Sequence, residues 1–190
     1  MSVKSVMIVG VGGQGSLLAS RILGHVLLSQ GFDVKVSEVH GMSQRGGSVV
    51  TYVKYGNKVY SPVIEKGEAD VIISFEQLEA ARCVPYLKKN GHLIVSTQKI
   101  DPMPVITGAA KYPEDIILKI KDMGIDVITA DALNLAEKIG NVKASNVVLI
   151  GVLSSKLGFE KDVWYKALEE CVPSKYLELN KNAFELGAAL

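Results

Sequence analysis

The stretch KSVMIVGVGGQGSLLASRIL, from Lys4 to Leu23, places a glycine-rich turn between two apolar segments of different periodicity. Residues 4–9 are mainly apolar and β-branched, which predicts a buried strand, and apolar residues recur at helical spacing over 16–28. A second strand is predicted over 33–39. The chain therefore opens as a βαβ unit with its glycines at the carboxyl end of the first strand.

The segment after the second predicted strand departs from the usual βαβ pattern. Residues 48–55 alternate like a strand, yet only about eight residues separate them from the second strand, whereas a parallel crossover requires a dozen or more. The chain must therefore reverse, and a tight turn at 55–58 predicts a second reversal into a strand over 59–64. We expect an antiparallel excursion over about 33–64, inserted into a mostly parallel sheet.

The rest of the chain alternates strands with helices and then ends in helices alone. These patterns predict an α/β fold: a Rossmann-like, three-layer, mostly parallel sheet with the inserted excursion and a helical C-terminal third, in a single domain over 1–190. The predicted strands are 69–75, 91–96 and 126–130, and the predicted helices are 76–87 with an interruption at Pro85, 114–123, 132–139, 146–157, 162–171 and 175–186.

Composition narrows the classes of function. A net charge of +1 without any Lys/Arg run gives no electrostatic support for binding nucleic acid or an acidic membrane. Glycines interrupt the apolar N-terminal run, which favours a strand over a signal peptide, and no apolar stretch of ~18 residues could span a bilayer. We expect a cytoplasmic protein with neither nucleic acid nor membrane as a partner.

Cysteine and histidine usage bears on metal sites. The two cysteines, Cys83 and Cys171, are too few for an iron–sulfur cluster held by this chain alone, which normally takes about four thiolates. His25, His40 and His92 form no pair four residues apart. We therefore expect no metal site, and we expect the cysteines to be small buried apolar residues.

The glycine turn GVGGQG is the first candidate binding site. Glycines at this spacing permit a tight strand-to-helix turn, and the following helix N-terminus presents N–H groups to a phosphate. The motif is weak by itself, so a phosphate or nucleotide ligand and a turn required only by the chain both stay open. The candidate cofactor-binding residues are Gly10, Gly12, Gly13, Gln14 and Gly15.

The sequence around the second strand limits the choice of nucleotide. Glu38 lies about where a dinucleotide site places its ribose-binding acid, but a short loop replaces the helix that normally follows. A complete NAD-binding fold is therefore not predicted. An adenylating enzyme of the ubiquitin-activating type is also disfavoured, because we find neither its Asp-rich strand end nor its ATP-binding arginine. A stand-alone nucleotide-binding protein or NAD(P)-dependent enzyme remains an alternative.

The second candidate site is the loop SEVHGMSQRGGSVV, Ser37 to Val50. Arg45 suits bidentate contact with a carboxylate or phosphate, and His40 can move protons near neutral pH. Gly46 and Gly47 permit close backbone approach. In the simpler interpretation, Glu38 pairs with Arg45 and the histidine is only a satisfied hydrogen-bonding residue.

These two motifs carry a resemblance. GVGGQGSLLASRILG followed by SEVHGMSQRGGSVV is similar to the gamma-type subunit or domain of the 2-oxoacid:ferredoxin oxidoreductases. The similarity continues through ADVIISFEQLEAAR, NVVLIGVL and NKNAFELGA, and so spans nearly the whole chain. The string EVHGMSQRGG is the more specific part. It resembles the beta subunit of the indolepyruvate (arylpyruvate) branch, whereas pyruvate and 2-oxoglutarate relatives tend to carry a tyrosine–glycine version.

The resemblance implies oxidative decarboxylation of an aryl 2-oxoacid, with coenzyme A taking the acyl group and ferredoxin accepting the electrons. Thiamine diphosphate, magnesium and iron–sulfur clusters are then expected on a larger alpha subunit, and none of them on this chain. The chain would complete an enzyme in a hetero-oligomer and would be inactive alone. The gamma subunit of a pyruvate, branched-chain or 2-oxoglutarate ferredoxin oxidoreductase is the alternative within the family.

For the site, the resemblance implies that residues 38–47 face the partner's active site or the coenzyme A path. Arg45 would hold a substrate carboxylate or a coenzyme A phosphate, and Gln44 and His40 would add hydrogen bonds. His40 and Arg45 are the catalytic candidates. Glu38, Gln44, Arg45, Gly46 and Gly47 join the glycine turn as candidate cofactor-binding residues.

Overall fold

The computed structural model describes residues 2–40 and 47–190, which form a six-stranded sheet with helices on both faces. The spatial order is β2-β3-β1-β4-β5-β6. β1, β4, β5 and β6 are parallel, and β3 is antiparallel to both β1 and β2. The predicted α/β, mostly parallel sheet is confirmed. The strands are Lys4–Val11 (β1), Asp33–His40 (β2), Ser48–Gly56 (β3), Ala69–Ser74 (β4), Leu87–Ser96 (β5) and Asp126–Ala130 (β6).

The helices pack against the sheet in two separate cores, which makes the fold three-layered. β1 shows why: Val6 and Ile8 face one core, Met7 and Val9 face the other, and all four are at most 1% exposed. The first core also contains residues of α1, α5, α6, α7 and α8, and the second those of α2 and α4. The helices are Ser16–Ser29 (α1), Gln77–Cys83 (α2), Met103–Ile106 (α3), Ile116–Asp122 (α4), Ala132–Lys138 (α5), Ser145–Leu157 (α6), Lys161–Cys171 (α7) and Leu177–Ala188 (α8).

The antiparallel excursion follows the sequence argument at its first reversal and departs from it at the second. β2 pairs antiparallel with β3 over its whole length, from Asp33 opposite Gly56 to His40 opposite Val49, as the short connection requires. The predicted strand over 59–64 is wrong, because this fully described segment has no regular structure. The N–H of Val59 donates to Asp33 Oδ2 at 2.8 Å, and Pro62 has no N–H to give to a ladder. Val59 and Ile64 are nonetheless buried, which explains the apolar pattern.

The second half of the sheet differs from expectation around Pro85. The helix predicted over 76–87 ends at Cys83, and Val84–Tyr86 form a 3-10 turn that contains the proline. β5 then begins at Leu87, four residues before its predicted start at Gly91, with a register shift against β4. The short helix α3 was not predicted, since the prolines at 102, its N-cap, and 104, within it, indicate only an irregular connection.

The C-terminal helices confirm the predicted helical third of the chain. α6 and α8 come close together through a glycine on each. A Cβ on Gly151 would lie 2.1 Å from the carbonyl oxygen of Phe184, and a Cβ on Gly187 would lie 1.8 Å from that of Val148. Neither position has room for any side chain, so the spacing of the two helices depends on both glycines.

Glu185 links α7 to α8 on the protein surface and makes the stability of this pair depend on pH. Its Oε1 accepts from Tyr165 Oη at 2.5 Å and pairs with Lys161 Nζ at 2.6 Å. The hydrogen bond from Lys161, and then that from Tyr165, lowers the pKa of Glu185 below its ordinary value. A lowered folded-state pKa contributes stability above the unfolded-state pKa, and this contribution is lost as pH falls through the folded-state value.

We therefore expect Glu185→Gln to lower the melting temperature at pH 7 by about 1–3 °C, since the pair is exposed. The difference from the wild type should narrow as pH falls through the lowered folded-state pKa of Glu185, below which both proteins lack the charge. Thermal melts from pH 3 to 8 measure it. Glu178→Gln is the control, because Glu178 is 85% exposed and lies 3.9 Å from Lys181. A difference that stays constant with pH would contradict the assignment.

Candidate functional site

The glycine turn, which contains five of the predicted site residues, lies at the carboxyl edge of the parallel strands. From β1 the chain passes to β2 on one side of the sheet, whereas β4 lies on the other side of β1. The switch in strand order, where open α/β sheets bind ligands, therefore falls between β1 and β4. The glycine turn leaves β1 at this point. The end of β2 and the start of β3 lie at the same edge, and Ser48 of β3 pairs with Val11 beside the glycine turn.

The side chain of Gln14 occupies the crevice between these strands. Its Oε1 accepts from the N–H of Val11 at 2.7 Å. Its Nε2 donates to the carbonyl oxygen of Phe75, just past β4, and to Gln98 Oε1, just past β5, both at 2.9 Å. One amide thus ties together the ends of three parallel strands. The sequence named Gln14 as a cofactor-binding candidate, and the structure adds a role within the chain itself.

Contacts inside the chain account for two of the glycines. A Cβ on Gly10 would lie 2.8 Å from Gln14 Oε1, and one on Gly15 would lie 2.3 Å from Asn146 Nδ2. Gly15 also has a φ of 85°, in the left-handed region that favours glycine. Gly13 has a φ of 100° and open space around it. The turn chemistry of the chain thus explains the spacing of Gly10 and Gly15, and a phosphate ligand stays a prediction.

Both ends of the Ser37–Val50 stretch are held by hydrogen bonds, and the Gly47 end lies beside the glycine turn. Thr51 Oγ1 donates to Glu38 Oε2 at 2.9 Å. The N–H of Gly12 donates to the carbonyl oxygen of Gly47 at 2.9 Å. Gln44, Arg45 and Gly46 lie outside the described residues, and of His40 only the backbone, which pairs with Val49, is described. The structure therefore places Gly12 and Gly47 together at this edge, and places Glu38 on β2, opposite Thr51 and farther from the glycine turn.

Two buried glutamates follow β4, and neither was predicted to belong to the site. Glu76 is 1% exposed and Glu79 is 3% exposed. Glu76 is the N-cap of α2, where its Oε2 accepts from the N–H of Glu79 at 2.9 Å. Glu79 Oε2 accepts from Ser48 Oγ, and Glu79 Oε1 from Arg82 Nη1, each at 2.5 Å. Both carboxyl groups are thus buried with hydrogen-bonding partners, as burial of a charged group requires.

Glu76 also holds the segment between β5 and α4, residues 97–115. Its Oε1 accepts from the N–H of Ile100 at 3.3 Å and from the hydroxyl of Tyr112. Burial, and then the bond to Glu76, raises the pKa of Tyr112, so its phenol stays protonated and donates. Between these two anchors the segment projects from the edge, with Met103 and Ile106 about two-thirds exposed. One buried carboxyl group thus fixes both ends of the projection.

A cleft of about 360 Å³ opens between the glycine turn and the start of α6. Gly13, Gln98 and Leu133 line it together with Lys143 and Asn146. Asn146 Nδ2 donates to the carbonyl oxygen of Gly15 at 3.1 Å, while its Oδ1 is buried without a hydrogen-bond partner among the described residues. The cleft is therefore mixed in polarity, with one cation and apolar walls.

The two thiols are poorly placed to bind iron together. Cys83 belongs to the core on one face of the sheet, and Cys171 packs against the core on the other face. Burial raises the pKa of Cys83 to about 12, so it remains a neutral thiol. Across residues 2–40 and 47–190, no cluster of three or more His, Cys, Asp or Glu side chains is suited to a metal ion. Within the same residues, no helix is long and apolar enough to cross a membrane.

A family model described as pyruvate ferredoxin/flavodoxin oxidoreductase matches residues 5–190 of the sequence. The chain belongs to this family. Within it, the protein is 44% identical to the indolepyruvate oxidoreductase subunit IorB of Thermococcus kodakarensis, over 98% of this chain and 95% of the relative. It is 41% identical to the subunit IorB of Archaeoglobus fulgidus, over 96% and 92% of the two chains. The family resemblance predicted from the sequence is confirmed.

More distant relatives and solved structures agree with this placement. The common gamma subunit of the pyruvate/ketoisovalerate oxidoreductases of Pyrococcus furiosus is 24% identical over 88% of this chain and 83% of its own. The gamma subunit of a keto/oxoacid ferredoxin oxidoreductase from Geobacter sulfurreducens superposes with a TM-score of 0.72 at 22% identity, covering 97% and 95% of the two chains. The 2-oxoglutarate:ferredoxin oxidoreductase of Magnetococcus marinus gives 0.77 at 17% identity, over all of this chain but 31% of the longer one. These structures show the shared fold.

For this member of the pyruvate ferredoxin/flavodoxin oxidoreductase family, the sequence named candidate residues on one side of this edge and none on the other. It named the glycine turn and the Ser37–Val50 stretch, and the structure places Gly47 of that stretch against Gly12 of the turn. It missed Glu76, Glu79 and Tyr112. The available signal was FEQLE after a buried strand, since its first glutamate stands where an N-cap is expected and its second three residues later.

Proposed function

We propose that this chain is the beta subunit of an indolepyruvate (arylpyruvate) ferredoxin oxidoreductase. The complex would oxidatively decarboxylate aryl 2-oxoacids to acyl-CoA with ferredoxin as electron acceptor. The observation that carries the proposal is the 44% identity to an indolepyruvate oxidoreductase subunit over 98% of this chain. The pyruvate/ketoisovalerate gamma subunits are far less similar, at 24% identity. The subunit would work in the cytoplasm and be inactive by itself.

The redox chemistry is assigned to a larger partner subunit. Iron–sulfur clusters are held by cysteine thiolates. Here the two thiols lie on opposite faces of the sheet, and burial keeps Cys83 protonated. The residues of this chain therefore do not fit a cluster. Thiamine diphosphate, magnesium and the clusters would all be bound by the partner.

This subunit would contribute to the active site through the edge of its sheet where the parallel strands end. The glycine turn, Gln14 and the Gly47 end of the Ser37–Val50 stretch form one continuous border at the switch in strand order. Placed against the partner, this border would form a wall of the active site or of the coenzyme A path. Arg45 would bind a substrate carboxylate or a coenzyme A phosphate, with His40 and Gln44 adding hydrogen bonds.

The test of the assembly is an anaerobic pull-down of the tagged chain from its native source, followed by activity measurements on what co-purifies. We expect a larger, iron-rich, thiamine-dependent partner at fixed stoichiometry, and reduction of ferredoxin that depends on both coenzyme A and indolepyruvate. Pyruvate or 2-oxoglutarate as the preferred substrate would overturn the arylpyruvate assignment. A chain that purifies alone under non-dissociating conditions, or that binds NAD or ATP tightly, would overturn the subunit assignment.

Arg45→Ala tests the role of the loop in the assembled enzyme. We expect kcat/KM for either the 2-oxoacid or coenzyme A to fall about tenfold to a hundredfold, because a charge-assisted bidentate contact is lost. Steady-state kinetics with each substrate varied in turn measures the effect. Arg21→Ala, on the exposed side of α1, is the control and should leave both constants unchanged. Unchanged kinetics for both substrates in Arg45→Ala would remove the loop from the site.

A further inference from the structure

Glu79 is placed where a helix-capping glutamate is expected, yet its side chain makes a different contact. With Glu76 as N-cap, Glu79 is the third residue of α2, the position from which a capping-box glutamate reaches back to the N-cap N–H. Here the carboxyl group instead crosses to β3, where its Oε2 accepts from Ser48 Oγ at 2.5 Å. The neighbouring apolar residues of α2, Ala80 and Cys83, supply the packing. Burying a carboxyl group at this point therefore requires a reason other than packing.

The partner of Glu79 is the first residue of β3, and a second bond holds the same segment. Ser48 pairs with Val11 at the end of β1, and the carbonyl oxygen of Gly47 accepts from the N–H of Gly12. The dipeptide Gly47–Ser48 is thus held from one side by the glycine turn and from the other by α2. Its backbone cannot move relative to the edge without breaking one of these bonds.

The charged partner of Glu79 holds its carboxyl group in one position. The carboxyl group is buried, but Arg82, three residues later and half exposed, donates to its other oxygen at 2.5 Å. A carboxylate with charge-assisted bonds on both oxygens is held in one geometry. Ser48 itself is exposed at the edge of the sheet. In the proposed function, this exposed surface contacts the partner subunit.

We propose that Glu79 is a positioning residue of the assembled oxidoreductase, which acts through Ser48 to fix the Gly47–Ser48 dipeptide against the glycine turn. It touches neither substrate nor cofactor. It holds the border of the site in the geometry that contacts the bound substrate, and displacement of such a border weakens the productive binding of that substrate. The inference rests on the proposed function, since it needs a partner whose site this edge completes.

The experiment compares Ser48→Ala and Glu79→Gln in the complex reconstituted with its larger subunit. Ser48→Ala removes one exposed hydroxyl and leaves the fold intact, and Glu79→Gln keeps the size of the side chain but removes the charge. We expect each variant to raise KM for coenzyme A or the 2-oxoacid about tenfold, the worth of one charge-assisted hydrogen bond, with kcat changed less than about threefold. The double variant should be no worse than the more severe single variant, because both remove the same contact.

Glu169→Gln is the matched control, since this glutamate pairs with Lys181 at 2.9 Å between α7 and α8. It removes a paired helical carboxylate outside the site and should leave both KM values unchanged. A purely structural role for Glu79 predicts lower melting temperatures with unchanged KM, and that result would overturn the proposal. So would KM values within about twofold of wild type for Ser48→Ala, or strictly additive effects in the double variant. Failure of the wild-type chain to support any activity with the larger subunit would instead overturn the proposed function, which separates the two conclusions.

Discussion

Substituting Gly187 by alanine is expected to lower the free energy of unfolding by about 3 kcal/mol or more, the upper range for overpacked cores. The added Cβ would lie 1.8 Å from the carbonyl oxygen of Val148 and 2.8 Å from its carbonyl carbon. Both are backbone atoms, so no rotation of a side chain relieves the overlap. α8 must move away from α6, and Phe184, only 2% exposed and in contact with Trp164, moves with it.

Chemical denaturation and thermal melts measure this loss, and about 3 kcal/mol corresponds to roughly 6–12 °C for a chain of this size. Gly24 in α1 is the matched control, because a Cβ there meets nothing within 4 Å. Gly24→Ala should be neutral or stabilise the protein by about 0.5–1 kcal/mol, as alanine is the better helix former. The variant with alanine at both 151 and 187 should lose less than the sum of the single losses, because one separation of the helices relieves both overlaps. Equal stabilities for Gly187→Ala and Gly24→Ala would contradict this account of the α6–α8 contact.

The parts of the fold that the sequence predicts are those that depend on local pattern and chain length. The opening βαβ unit follows from periodicity, and the reversal between β2 and β3 follows because the connection is too short for a parallel crossover. The strand expected over 59–64 fails because Val59 and Ile64 are buried as single residues of an irregular segment. An apolar pattern reports which residues are buried, but it does not report whether their N–H groups belong to a ladder.

The candidate site shows the same division. Glycines at 10 and 15 are predictable as a turn, but their cause is not, because the atoms that exclude a Cβ belong to Gln14 and to Asn146, the latter far along the chain. In the sequence, Glu79 looks like a capping residue. Its serine partner lies 31 residues away, in a strand, so no local pattern reveals the contact. Contacts of this kind depend on the packed sheet and cannot be derived from one local stretch.

Substituting Glu76 by alanine is expected to cause the second large loss of stability. Glu76→Ala removes the N-cap of α2 and the acceptor shared by the N–H of Ile100 and the hydroxyl of Tyr112, and leaves both of these half-buried donors without it. The cap alone is worth about 1 kcal/mol, and each half-buried donor that loses its acceptor adds about 1 kcal/mol, so we expect a total loss of about 3 kcal/mol. Because both anchors of the 100–112 projection end on this one carboxyl group, the projection should also open before the rest of the molecule.

Hydrogen exchange distinguishes this local opening from a uniform loss of stability. In Glu76→Ala, amides over 100–112 and in the first turn of α2 should exchange faster than the lowered global stability alone predicts. The amides of α6 and α8 should exchange at the rate that the lowered global stability predicts. Tyr112→Phe is the matched comparison, because it removes one bond to Glu76 and the acceptor of the Leu78 N–H in the first turn of α2, but leaves the cap and the bond from Ile100 in place. It should cost about 1–2 kcal/mol and loosen the projection, while in α2 only the amide of Leu78 should lose protection. Two results would show that Glu76 does not act as the common anchor of the projection and the helix. One is faster exchange spread evenly over the sheet in Glu76→Ala, and the other is an equal loss of unfolding free energy in Glu76→Ala and Tyr112→Phe.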